Sequence, residues 1–166
     1  MGMVELDEID RGILHLLQQD ARHQTAGEIA SELPVSGQTV RNRIKKLEEA
    51  GIIEGYVPLI DYRNAGFGIR IKYVCTAPVD GREEVVEQVL QLPHVVSVDE
   101  MLSARDNLSI LAVTNDSEEI NELTRSIADL DLVIEREALL RRTYLRPFNH
   151  FGEDYDTDTA PNESSP

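Results

Sequence analysis

Apolar residues first recur at helical spacing near the start of the chain, with Leu6, Ile9, Ile13, Leu16 and Leu17 on one stripe that runs to about Asp20. Asp7, Glu8 and Asp10 fall in its first turn, where negative charge suits the helix dipole. Thr25 with Glu28 three residues later is a capping-box pattern, and it opens a short second helix through Ile29, Ala30 and Leu33. Leu33-Pro34-Val35 makes a tight turn. Ser36 can then cap a third helix, in which Val40, Ile44 and Leu47 stand at i, i+4 and i+7, and Gly51 supplies the left-handed stop. After it, residues 52–57 are short, β-prone and interrupted by Gly55. Three helices followed by one short strand predict a winged helix-turn-helix over residues 1–56.

The period then changes. Residues 57–68 read as an extended linker strand, because Leu59, Ile60, Tyr62 and Phe67 would be costly to leave exposed in a disordered one. From Ile69 the pattern alternates: Ile69, Ile71, Tyr73 and Cys75 against Arg70, Lys72, Val74 and Thr76, a strand with one buried face. A helix over 83–92 carries Val85, Val86, Val89 and Leu90 and stops at Pro93. Strands follow over 94–102 and 108–114, then a helix through Ile120, Leu123, Ile127 and Leu130 capped by Asp116 or Ser117, then a strand over 133–145. The order βαββαβ over residues 69–148 is the split arrangement of a ferredoxin-like domain, so the fold class is α+β. Its helices cover one sheet face, and a partner subunit is the economical cover for the other. Residues 149–166 form an acidic tail whose composition predicts disorder.

Charge sharpens the third helix. Opposite its apolar stripe lie Gln38, Asn42 and Lys45, flanked by Thr39, Arg41 and Lys46, while Arg43 sits nearer the apolar edge and reaches outward on its stem. These donors suit phosphates and base edges. The bland alternative is a solvated helix face. Two of the three lysines of the chain are here, in a protein of formal charge −15. With 31 acidic residues against 16 basic ones, most of them arginine, the composition resembles that of a protein from a salt-rich cytoplasm. At ~1 M salt the Debye length is about 3 Å, so overall repulsion from DNA would be screened there. No apolar run approaches the ~18 residues of a membrane span, and no signal-peptide pattern opens the chain; a cytoplasmic protein is expected. Cys75 is the single cysteine, which excludes an intrachain disulfide and a cysteine-cluster metal site. His15, His23, His94 and His150 have no metal-ligand spacing, and no phosphate loop or nucleophile elbow is present. No cofactor and no metal are expected.

In two domains of this kind, the stretches Leu6-Asp7-Glu8-Ile9-Asp10-Arg11-Gly12-Ile13-Leu14, Val40-Arg41-Asn42-Arg43-Ile44-Lys45-Lys46-Leu47-Glu48-Glu49-Ala50-Gly51-Ile52-Ile53 and Gly55-Tyr56 together resemble the Lrp/AsnC family of feast/famine transcription regulators. Over residues 6–147 the whole looks like a member from a halophilic archaeon. The resemblance implies sequence-specific binding of double-stranded DNA as a homodimer or octamer. The DNA-binding residues would then be Ser36, Gln38, Thr39, Arg41, Asn42, Arg43, Lys45 and Lys46. It also implies an amino-acid or other small-metabolite effector at the loop Ser103, Ala104, Arg105, Asp106 and Asn107. Here Ala104 replaces the family's glycine, and Arg105 stands where an acidic residue is common. Arg105 suits either a ligand carboxylate or an intersubunit salt bridge. Two other readings share the architecture: an enzyme similar to siroheme decarboxylases, and a metabolite-sensing module without DNA contact.

Overall fold

The computed structural model describes residues 5–78 and 80–152 of the chain. It divides into two compact units, one gathering the chain up to Pro58 with the segment from Tyr144 onward, the other comprising Leu59–Thr143.

In the first unit lie α1 (Glu8–Asp20), α2 (Ala26–Glu32) and α3 (Gly37–Glu49). Each start is fixed by a side chain that satisfies an orphan amide: Asp7 accepts from Asp10, Thr25 from Glu28 and Ser36 from Thr39. At α1 and α2 the third helical residue returns the bond, completing capping boxes. The helices bury Ile13, Leu14, Leu16, Ile29, Leu33, Val40 and Leu47 in one core. Gly51 takes a φ of 68°, and the amides of Ile52 and Ile53 both turn back to the carbonyl of Leu47. That turn packs both isoleucines on the core edge. Residues 52–57, expected to form a strand, pair with no strand among the described residues; Ile52 and Ile53 bend back onto the Leu47 carbonyl instead.

Four strands make up the sheet of the second unit: β1 (Ile69–Thr76), β2 (Val95–Glu100), β3 (Leu108–Thr114) and β4 (Val133–Leu139). Its order is β2-β3-β1-β4, antiparallel throughout. Helices α4 (Arg82–Leu90) and α5 (Ser117–Ala128) complete the βαββαβ order. Alternation sends Ile71, Tyr73 and Cys75 of β1 and Leu108, Ile110 and Ala112 of β3 into a core with Val89, Leu123 and Ile127. The opposite face carries Lys72, Val74 and Thr76 beside Ser109, Leu111 and Val113. The last strand is shorter than the pattern predicts. Leu139 pairs with Ile71 and the Leu140 amide reaches the Arg70 carbonyl, one residue from the start of β1.

Beyond the sheet the chain returns to the first unit. A 3-10 turn at Asn149–Phe151 packs on α1, with Phe151 against the helical core and the Phe148 amide donating to Gln18 Oε1 at 3.1 Å. Residues 144–148, which the alternating pattern attaches to the sheet domain, thus belong with the helices. The stretch read from the sequence as a disordered tail lies, from Glu153 onward, outside the described residues.

Candidate nucleic-acid interface and effector loop

The cap at Ser36 and the buried pair Val40 and Leu47 fix how α3 is rotated, and this leaves Gln38, Arg41, Asn42, Lys45 and Lys46 exposed along one side. Three of these side chains hold one another: Arg41 donates to Gln38 Oε1, and Gln38 donates to Asn42 Oδ1, each at 3.1 Å. Such a chain keeps amide and guanidinium donors ordered and facing outward until another acceptor replaces them. Lys45 lies 3.5 Å from Glu49, both ends well exposed, a pairing worth little in water. Lys46 is exposed and near the helix end. Ser36 and Thr39 are occupied in the cap itself, hydroxyl to hydroxyl at 3.0 Å and amide to hydroxyl at 3.1 Å.

Arg43 is placed differently from the outward reach read from the sequence. Its Nη1 donates to Asp7 Oδ2 at 2.6 Å and to both carboxylate oxygens of Asp10 at 3.1 Å, tying α3 to the first turn of α1. Asp10 is nearly buried, so its charge needs this partner. The Asp10 backbone amide, with Arg43 beside it, holds the Asp7 carboxyl below its ordinary range, against a smaller opposing effect of burial. The same contacts raise the Arg43 guanidinium, first through Asp7. Sequence reading missed this pairing because its partners lie 33 and 36 residues away. The two acids in the first turn of α1 were the available signal.

The loop from 101 to 107 is pinned from within. Asn107 is fully buried; its Oδ1 accepts from the Ala77 amide at 2.7 Å and its Nδ2 donates to the Ala77 carbonyl at 3.0 Å. Ser103 Oγ donates to the carbonyls of Arg105 and Asp106. Asp106 carries the left-handed conformation, φ 51°, and its amide donates to Thr76 Oγ1 at 3.0 Å. Ala104 is not among the positive-φ residues, so replacing a glycine there costs this loop no strain. Arg105 points out, 3.6 Å from Glu135 of β4. Of the five loop residues, Ala104, Arg105 and the Asp106 carboxylate therefore face solvent, while Ser103 and Asn107 are used in folding.

The histidines do not assemble a site. His23 pairs with Asp20 at 2.6 Å, His15 meets Gln19, and His94 has a turn conformation with φ 73°. Among the described residues no group of three or more His, Cys, Asp or Glu could hold a metal ion. No helix among them is long and apolar enough to cross a membrane.

Comparison with known proteins agrees with this geometry. The winged helix-turn-helix DNA-binding family matches residues 6–54. The HTH-type transcriptional regulator LrpA of Pyrococcus horikoshii is 36% identical over 121 residues, covering 71% of this chain and 82% of that protein. Two solved structures share the fold. The AsnC structure of E. coli has a TM-score of 0.69 at 19% identity, over 87% of this chain and 98% of its own. A regulator of Neisseria meningitidis, solved as its L-Met complex, scores 0.70 at 21% identity over 86% and 94%. With the four-stranded sheet domain following a helix-turn-helix whose third helix bears exposed cations, the chain belongs to the Lrp/AsnC family of helix-turn-helix transcriptional regulators.

Proposed function

We propose that α3 enters the major groove of double-stranded DNA, with Gln38 and Asn42 reading base edges and Arg41, Lys45 and Lys46 binding phosphates. The supporting observation is the mutual hydrogen bonding of Arg41, Gln38 and Asn42 on the exposed side of a helix whose other side is locked in the core. The N-terminus of α3, with the Ser36 and Thr39 hydroxyls, lies where a backbone phosphate is favoured by the helix dipole. Arg43 acts as a positioning residue through Asp7 and Asp10 rather than as a contact. The protein works as a homodimer, or as an octamer built from dimers. Exposed Val57, Leu59, Ile60, Leu139, Tyr144 and Leu145 support an oligomer. An amino acid or similar small metabolite is the effector, its carboxylate meeting Arg105 beside Ala104 and Asp106; the L-Met complex of the Neisseria regulator supports the ligand class. The acidic, lysine-poor composition supports a salt-rich cytoplasm as its setting.

The test is a set of binding titrations on one selected DNA site. Arg41→Ala and Lys46→Ala should weaken binding across all sequences and each lower the salt slope by about one. Gln38→Ala and Asn42→Ala should relax sequence preference, at roughly 1–3 kcal/mol of discrimination. Variants that bind and discriminate like the parent would remove the face from the account.

A further inference from the structure

Two stretches of chain join the units: it leaves the helical unit after Pro58 and returns to it after Thr143. At the sheet end both are fastened to one residue. The linker enters β1 at Ile69, and Arg70 follows directly. On the returning side the Arg70 carbonyl accepts from the Leu140 amide at 2.8 Å, and Arg70 Nη2 donates to Thr143 Oγ1 at 2.9 Å. Arg70 thus holds the outgoing chain at Leu140 and again at Thr143. Between Arg141 and Arg146 the returning chain is exposed and belongs to no helix or strand.

The helical end is seated by apolar packing. Phe151 packs against the core that also holds α3, and the Phe148 and Phe151 rings meet edge to face at 5.1 Å. Bonds from the Phe151 amide to the Phe148 carbonyl and from the Gly152 amide to the Asn149 carbonyl close the turn that brings them together. The Phe148 amide is held by Gln18 of α1. A Cβ on Gly152 would stand 2.8 Å from the His15 ring, which Gln19 holds at 2.9 Å, so the chain approaches α1 as closely as glycine allows.

We propose that residues 140–152 are a strap, a second tether that limits how far the helical unit swings on its linker. Arg70 and Phe151 are the positioning residues at its two ends. A unit hung on one extended linker gives up orientational freedom when it binds. A second tether removes part of that freedom beforehand, so α3 meets DNA at a smaller entropic cost. Salt screens charges and not ring packing, so the seat holds in molar salt as in dilute buffer. The gain in DNA binding rests on the assignment of α3 to DNA; the tether itself does not.

The decisive variant carries a flexible Gly-Ser insert between Thr143 and Tyr144. It slackens the strap and leaves both fastenings in place, because lengthening a loop adds little to its closure cost. Its melting temperature should match the parent's, which separates it from a variant that merely weakens the helical core. Motion is read without DNA. A dye on Ser31→Cys, an exposed position of α2, reports the helical unit, and the fully buried Cys75 does not compete for it. In time-resolved anisotropy at ~1 M salt, the insert and Gly152→Val should each raise the nanosecond component roughly twofold or more, and Thr143→Val should raise it less. An insert that decays like the parent would overturn the strap whatever α3 binds, and an unchanged Thr143→Val would remove Arg70 from it.

On one selected duplex the insert should lower affinity roughly three- to ten-fold while keeping the parent's salt slope and sequence preference. Affinity equal to the parent's would overturn the strap's part in DNA binding. Failure of the parent itself to bind any duplex selectively would instead fault the assignment of α3, and the anisotropy would still decide the tether.

Discussion

Arg43 is the residue on which the geometry of the DNA-binding unit turns. It satisfies the nearly buried Asp10 and the cap residue Asp7 together, so removing it leaves a carboxylate without its partner. Arg43→Ala should lower the thermal stability of the unit and weaken DNA binding without changing which sequence is preferred, a combination that a contact residue would not give. The Asp7 carboxyl, held below its ordinary value, supplies a pH test. Its contribution is fully present above the unfolded carboxylate pKa of about 3.9 and is lost as pH falls through the lower folded value. Acid unfolding of the helical unit should therefore begin below about pH 4, and Asp7→Asn should flatten that limb; an unchanged acid limb would contradict the role given to Asp7. Cys75 is fully buried, and burial with Glu135 and Glu137 nearby pushes its thiol up to about 11. Alkylation at neutral pH should be very slow in the native protein and fast in denaturant. Residue roles such as these were the least legible in the sequence. Asn107, which the resemblance places in the effector loop, is a fully buried clasp on Ala77, a partner 30 residues away in sequence.

Elements were far more legible, because periodicity and caps are local. Thr25 with Glu28, Ser36 as a cap and the Val40, Ile44, Leu47 stripe mark α2 and α3 where they occur. The alternation from Ile69 marks β1. The misjudged ends have a common cause: a strand ends where its partner does. β4 ends at Leu139, opposite Ile71, within two residues of where β1 begins at Ile69, so little of β1 is left to pair with its successors. The run after Gly51 likewise has β propensity and no ladder among the described residues. The return of residues 148–152 to α1 was invisible because Phe148 and Phe151 alone carry no period. The loop after β2 makes the element-scale prediction. Asn107→Ala frees both backbone groups of Ala77 in a buried setting, each worth roughly 1–3 kcal/mol. Calorimetry should show the loss in the sheet unit; a melting temperature within about a degree of the parent would contradict the clasp.

At the scale of the whole molecule, charge is divided against itself. The chain is strongly acidic overall, yet the exposed side of α3, a helix whose other side is buried in the core, carries two of its three lysines. On the proposed reading, contacts on α3 overcome a general repulsion from DNA, which salt weakens along with the contacts themselves. Binding selectivity should therefore survive to higher salt than for a basic regulator of equal size. The most direct measurement is equilibrium binding of the purified protein to the double-stranded DNA upstream of its own gene, from dilute to molar salt, beside Asn42→Ala and Lys46→Ala and with and without a mixture of amino acids. The account predicts saturable, sequence-selective binding by the parent, loss of selectivity with Asn42→Ala and a salt slope reduced by about one with Lys46→Ala. Absence of selective binding at every salt concentration, or variants that trace the parent's curve, would contradict it.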